Sequence, residues 1–507
     1  MDDEDGTAIP GTEGAWSGFF SPDGQWVGFY SSDSKLQKVH TGGGTPVPLC
    51  VAPNVWGASW GEEDTILFTT TGSSGLARIP ASGGSPSFVT TPDASQGELS
   101  HRWPEFLPGG EAALFTIWKG SFQDSQIALL LLETGEHRVL LTGGSNPRFS
   151  STGHIVYARE GQLMAAPFDL GRLDLLGEPV PVLDRVATQG WTGAAHFSLS
   201  DDGDLAYIQR IGSPQRALMW VDREGSSRLI TETRRGYMSP RLSPDGRLLS
   251  LMIQDDISVH VWLYDLERDA LTRLSSGVGG STPIWTPDGK RIAFQSGTEI
   301  VWQAADGSGA AEPLASGTGA PVPISWSPDG SVLVFNDYDT ASRSDIWLLS
   351  PEGDRKPRAF LQTPAVELGG VFSPDGRFIA YVSNASGRFE VYVQPFPGPG
   401  SKSQVSTEGG TNPAWDRSGR EIFYRSEDRV MAVTVETDPA LRLSKPTLLF
   451  EERFLQEAEG VVGFAQYDVA PDDEHFVMIR DESLVSRIHI VLNWAEELKQ
   501  QVPARKR

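Results

Sequence analysis

Trp326-Ser-Pro-Asp-Gly-Ser-Val-Leu-Val-Phe335 is one copy of a phrase that recurs along the whole chain. Ser-Pro-Asp-Gly stands intact at 21–24, 243–246, 327–330 and 373–376, and as Thr-Pro-Asp-Gly at 286–289. Weakened copies occupy 61–64, 107–110, 150–153, 200–203, 416–419 and 470–473. An apolar anchor precedes each: Phe20, Trp60, Phe106, Phe149, Leu199, Leu242, Trp285, Trp326, Phe372, Trp415 and Val469. In such a phrase Pro pre-sets φ, Asp bonds back to the turn backbone, and Gly supplies the positive φ that lets the chain reverse. The phrase therefore predicts a hairpin between the anchor strand and the strand that follows it.

The anchors are spaced 40 to 54 residues apart, giving eleven units of about 45 residues. Within a unit, a strand such as Arg291–Gln295 follows the turn. An aromatic or branched strand comes next, as in Val261-Trp-Leu-Tyr-Asp265, and a shorter strand such as Leu271–Leu274 closes the unit. Four antiparallel strands of this total length make a β-propeller blade. Eleven blades exceed the four to eight of a usual ring, so the chain is expected to be all-β, with two consecutive propellers of about five and six blades.

The last unit offers three strands, Gln466–Ala470, His475–Arg480 and Arg487–Val491, before the pattern turns helical. Ser227–Glu232 is expected to supply the missing fourth strand and close the second ring, and Thr7–Gly11 to complete the fifth blade of the first. These readings set the expected domains at 1–226, 227–493 and 494–507. Asn493-Trp-Ala-Glu496 carries the residues of a capping box, which predicts a short helix from Trp494 to about Gln500 packed against the second ring. The basic tail Ala504-Arg-Lys-Arg507 reads as a solvated terminus.

Composition narrows the function. The 66 Asp and Glu against 42 Lys and Arg give a net charge of −24, which argues against nucleic acid or an anionic membrane surface as partner. The single cysteine, Cys50, excludes an internal disulfide framework and a multi-cysteine metal site. No apolar run approaches the 18 residues of a spanning helix, and Met-Asp-Asp-Glu-Asp is unlike the basic start of a signal peptide.

The repeats resemble the TolB-type, WD-like propeller repeats of bacteria. Nearly the whole chain further resembles the C-terminal propeller region of bacterial serine/threonine protein kinases. The resemblance is carried by Pro10-Gly-Thr-Glu-Gly-Ala15, Ser100-His-Arg-Trp-Pro-Glu-Phe-Leu-Pro108, Gly153-His-Ile-Val-Tyr157, Pro167-Phe-Asp-Leu170, Met219-Trp-Val-Asp-Arg223 and Val491-Leu-Asn-Trp-Ala-Glu-Glu-Leu498. It implies a kinase domain, usually a membrane span, and a further blade upstream of Thr7, which makes the chain either a fragment of a longer protein or one with an unusually late start. Attached to a membrane kinase the propellers would be extracytoplasmic; free-standing and without a leader they would be cytoplasmic.

Catalytic motifs are missing from the sequence. It has no Val-Ala-Ile-Lys strand, His-Arg-Asp loop or Asp-Phe-Gly of a kinase, and no Gly-x-Ser-x-Gly elbow of a serine hydrolase. The eight histidines show no His-x-His or His-x-x-x-His spacing, and Asn336-Asp-Tyr-Asp339 and Asp201-Asp-Gly-Asp204 read as turns rather than Ca²⁺ loops. No catalytic residue, cofactor or metal ligand is assigned. The expected function is a non-catalytic sensor or protein-interaction module that takes a protein or small molecule at a propeller mouth. The alternatives are a lyase or metal-dependent hydrolase working in a central channel, and a TolB-like periplasmic scaffold. The turn phrases mark one end of each blade, so binding is expected at the other, where Trp56, His101, Arg102, Trp103, Trp191, Tyr237 and Phe464 stand in the loops that enter the innermost strands.

Overall fold

The computed structural model describes residues 9–503, apart from 13–14, 32–34, 53–54, 71–73, 191, 210–213, 256–257, 278, 317–320, 340–342, 399, 439, 456–465 and 483–487. The chain is all-β, and among the described residues one α-helix, Trp494–Gln501, stands near its end. Its contacts divide it into two units, residues 1–211 with 485–507, and residues 212–484. Each is a β-propeller.

In the second unit the innermost strands are Gly236–Leu242, Ser281–Trp285, Val322–Trp326, Glu367–Phe372, Thr411–Trp415 and Tyr467–Val469. Each begins an antiparallel sheet of at least four strands. Successive innermost strands are neighbours, and Tyr467–Val469 touches both Thr411–Trp415 and Gly236–Leu242, so the six-bladed ring closes. The core lies between blades. Leu242, Leu249 and Leu251 of the blade opened by Gly236–Leu242 pack on Leu218, Val477 and Ile479 of the closing blade.

The turn phrases form a second ring around the same unit. At Gly289, Gly330, Gly376 and Gly419, a β-carbon would stand 3.4–3.8 Å from the proline of the preceding blade's phrase, and Gly246 faces Pro471 in the same way. Each of these glycines has φ near +70°. The phrase thus reverses the chain and also seats one blade on the next.

The same local chemistry operates at every intact phrase. The Ser or Thr hydroxyl donates to its Asp at 2.5–2.7 Å. That Asp accepts the N–H two residues on at 3.0–3.1 Å. The hydroxyl oxygen accepts the N–H five residues on at 2.9–3.1 Å, which starts the next strand. These hydroxyls hold Asp23, Asp245 and Asp288 below the usual carboxylate range, and Ser327 brings Asp329 down to about 2. A carboxyl whose folded pKa is depressed contributes stability above its unfolded value near 4 and loses it as pH falls through the folded value. Stability is therefore expected to fall between about pH 4 and pH 2, and Ser327→Ala to move the Asp329 titration upward. A side-chain NMR titration checks this; an Asp329 that already titrates near 4 in the unaltered protein contradicts it.

The innermost strands of the first unit are Trp16–Phe20, Ala58–Trp60, Ser100–Phe106, Ser145–Ser150 and Phe197–Leu199. All eleven anchors thus stand at or next to the end of an innermost strand. The fifth blade is completed from the far end of the chain, since Ile488–Val491 pairs antiparallel with Leu205–Ile208. The helix follows into the same core: Trp494, Leu498 and Val502 pack with Val156, Val186, Phe197 and Leu205.

This differs from the expected boundaries. Arg216–Asp222, placed in the first domain, pairs with His475–Asp481 and with Ser227–Leu229, so the closing blade of the second unit takes two strands from the start of that unit and two from its end. Ile488–Val491, expected in the second ring, and the helix, expected to pack against that ring, belong to the first unit. Asn493 makes no side-chain cap. It is left-handed, and its N–H donates to Asp204 while Ala495 N–H donates to the Gly203 carbonyl, so docking onto the 200–204 turn replaces the capping box. Thr7 and the basic tail lie outside the described residues, and Pro10 and Gly11 form a turn. No helix among the described residues is long and apolar enough to cross a membrane.

Candidate functional site

Three residues before its anchor, most innermost strands carry a residue in the left-handed region. In the first unit these are Ser17, Gly57, Trp103 and Asn146; in the second, Ser239, Thr282, Gly369 and Asn412. A bulge accompanies all but one of them, Gly57. Proline follows five, giving Trp103-Pro104, Asn146-Pro147, Ser239-Pro240, Thr282-Pro283 and Asn412-Pro413. A left-handed non-glycine residue costs roughly 1–2 kcal/mol. Its recurrence blade after blade makes it a device of the fold, one that re-aims a single side chain per blade at one level of the propeller. Side-chain chemistry at that level varies freely, which makes it the natural place for a site.

In the first unit, large side chains fill much of this level from within, while Asn146 Oδ1 is buried there without a protein hydrogen-bond partner among the described residues. Arg102 lies between two indoles, its guanidinium carbon 5.4 Å from the Trp56 ring and 5.2 Å from the Trp118 ring. Its Nε donates to Ser100 Oγ at 2.5 Å and its Nη1 to the Thr192 carbonyl at 3.1 Å. Trp103 Nε1 donates to the same carbonyl at 3.0 Å. Burial pulls the Arg102 pKa down to about 9, which still leaves the group charged at neutral pH. Gly57 must be glycine here, because a β-carbon would stand 2.8 Å from the Trp103 Cα.

The sequence-assigned mouth residues separate accordingly. Trp56, Arg102 and Trp103 come together around Thr192, with the first two buried and Trp103 half-buried. Tyr237 is buried in the second unit's core, and His101 is fully buried in a different cluster. Trp191 and Phe464 lie outside the described residues. Four of the seven are thus interior groups: Trp56 lies in a loop, while His101, Arg102 and Tyr237 stand in innermost strands, where their side chains are buried.

His101 meets partners that the spacing of histidines does not reveal. Its Nε2 is 3.1 Å from Glu98 Oε2, and its Nδ1 is 2.7 Å from Thr90 Oγ1, which also accepts the Leu76 N–H. The His137 ring lies 5.4 Å from the His101 ring, and Phe115 packs against both. Glu98, His101 and His137 each offer a ligand atom, and the three atoms lie within 4.8 Å of one another. Burial is the main cause that holds the His101 pKa down, to about 4, against the pull of Glu98, so the imidazole is neutral at physiological pH. The sequence did hold one signal, the Glu98-Leu-Ser-His101 spacing, but it sits in a loop and strand rather than on a helix.

In the second unit the bulge level is small and polar. Ser239, Thr282 and Asn412 are 5–7% exposed. Ser239 Oγ, Thr282 Oγ1 and Asn412 Oδ1 are buried without a protein hydrogen-bond partner among the described residues. The backbone around them is well held: Ser239 N–H donates to Gln466, and the Asn412 carbonyl accepts the Tyr467 hydroxyl at 2.8 Å. Neutral hydroxyl and amide groups can orient a polar guest, but none of the three is an acid or base that could move a proton at neutral pH.

No family model matches the chain. It is 30% identical over 178 residues to an uncharacterised protein of Agrobacterium fabrum, a stretch that takes in 34% of this chain and 59% of that protein. The chain thus spans about three fifths of the length of this curated relative. Among solved structures it is similar to a putative TolB from Agrobacterium tumefaciens, at 17% identity and a TM-score of 0.44, over 54% of this chain and 100% of that one. TolB from Acinetobacter baumannii matches at 16% identity and a TM-score of 0.37, over 69% and 79% of the two chains. Oligogalacturonate lyase from Vibrio parahaemolyticus matches at 18% identity and a TM-score of 0.29, over 57% and 87%.

Proposed function

We propose that this chain is a non-catalytic binding module whose second propeller holds a small, neutral, polar ligand at the bulge level of its innermost strands. The observation that carries this reading is the set of three orphaned oxygens, on Ser239, Thr282 and Asn412, at equivalent positions of three blades. A buried polar atom without a partner costs roughly 1–3 kcal/mol, so a fold that keeps three at one level gains something by them. The sequence phrases shared with kinase-linked propellers add a finer reading, in which ligand occupancy is what a membrane kinase senses from outside the cytoplasm.

Thr282→Val separates ligand binding from stability. Replacing the orphaned hydroxyl with a methyl group is expected to leave stability unchanged or raise it by about 1 kcal/mol in urea unfolding. In a thermal-shift screen of polyols, sugars and amino acids, the compound that stabilises the unaltered protein is expected to lose its effect on Thr282→Val and on Asn412→Ala. A ligand that shifts all three proteins equally sinks the bulge-level site. The kinase-linked reading has its own test, the DNA upstream of this reading frame. An in-frame kinase domain and membrane span support it, and an intervening stop codon rejects it.

A further inference from the structure

We infer that Glu98, His101 and His137 form a binding site for one divalent transition-metal ion of the zinc class. Two imidazoles and one carboxylate are a ligand set that Zn²⁺ takes, with a fourth position left for water or a ligand. The spacing suits it. Zinc bonds of roughly 2.0–2.1 Å place tetrahedral ligand atoms about 3.3 Å apart, and His101 Nε2 already stands 3.1 Å from Glu98 Oε2. The third atom is within 4.8 Å of both, on His137, an exposed side chain.

The surroundings hold the first two ligands in place. His101 is fully buried against Phe115, and its Nδ1 faces Thr90 Oγ1 at 2.7 Å. Thr90 serves either tautomer. Its hydroxyl can donate to a bare Nδ1, with the Nε2–H then donating to Glu98. Alternatively its oxygen can accept an Nδ1 proton, which turns the Nε2 lone pair toward Glu98 and a metal between them. A hydrogen-bonded group behind a histidine ligand, fixing its ring and tautomer, is the usual support of a metal site. Glu98 is steadied by the Asp93 N–H, which donates to the same Oε2 at 2.8 Å. Two ligands are therefore pre-arranged, and the solvent-side histidine completes the set. A net charge of −24 also favours cation accumulation around the protein.

The test is isothermal titration of zinc chloride into the full chain, beside His137→Ala, Glu98→Gln and, as a remote control, His40→Ala. His137 and His40 are exposed, so both alanine variants should fold, which circular dichroism checks. The expected result is one tight zinc per chain, weakened about tenfold or more by His137→Ala and by Glu98→Gln and unchanged by His40→Ala. Cobalt(II) is expected to give visible d–d absorption in the unaltered protein that is lost on His137→Ala. No stoichiometric zinc binding, or binding of equal strength in the unaltered protein, His137→Ala and Glu98→Gln, would overturn the assignment. So would loss of zinc on His40→Ala.

Discussion

Trp494→Ala is expected to destabilise the first propeller by about 3–5 kcal/mol and to leave the second untouched. Trp494 is 3% exposed and shares a core with Val156, Val186, Phe197 and Leu205, residues roughly 290–340 positions away in sequence. Losing the indole leaves a cavity in a place where the backbone is pinned. Ala495 N–H donates to the Gly203 carbonyl, and the His154 ring donates to the Val502 carbonyl at 2.8 Å. The core therefore has little freedom to collapse onto the space. Calorimetry is expected to show two transitions, with only that of residues 1–211 and 485–507 moving down. A shift confined to the other transition contradicts the placement of the helix.

The second large effect is expected in the other unit. Tyr467→Ala should cost its ring about 3–5 kcal/mol, because Tyr467 is 1% exposed and packs among Phe423, Phe450 and Phe476. Tyr467→Phe isolates the hydroxyl. It keeps the packing but strands the Asn412 carbonyl, at a cost of about 1–3 kcal/mol. Because that carbonyl belongs to the bulge residue whose side chain is assigned to the ligand, Tyr467→Phe is also expected to weaken ligand binding. Urea unfolding of the two variants checks the ordering. Equal losses for Phe and Ala would mean that the hydroxyl, and not the ring, carries the contribution of Tyr467.

The turn phrase was a sound guide to the blades because its chemistry is local. Ser, Pro, Asp and Gly complete their hydrogen bonds within five residues, so each copy specifies its hairpin wherever it stands. The bulge level was equally open to sequence: a residue-proline pair three positions before an anchor recurs at Trp103, Asn146, Ser239, Thr282 and Asn412. What the sequence could not show was long-range pairing. Ile488–Val491 alternates like any blade strand, and nothing local says that its partner is Leu205–Ile208 rather than His475–Asp481. Closing the fifth blade with the chain's far end covers the edge of Leu205–Ile208, and that constraint is global.

The site residues divide along the same line. Trp56, Arg102 and Tyr237 read in sequence as bulky groups near a mouth, but size at such a position serves packing between blades as readily as binding. The Glu98, His101 and His137 cluster joins a loop, an innermost strand and an outermost strand of one blade, so His137 reaches the local Glu98–His101 pair only once the sheet forms. The orphaned oxygens of Ser239, Thr282 and Asn412 are ordinary residues in sequence, and become distinctive through burial.

Native-state hydrogen exchange, followed by mass spectrometry at rising denaturant, tests the two-propeller account most directly. Each propeller should open as its own cooperative unit. Peptides covering 488–502 are expected to lose protection together with 197–208, and peptides covering 467–481 together with 216–229 and 236–254. If 488–502 instead exchanges in step with 467–481, the C-terminal strand and helix belong to the second ring and the division of the chain described above is wrong.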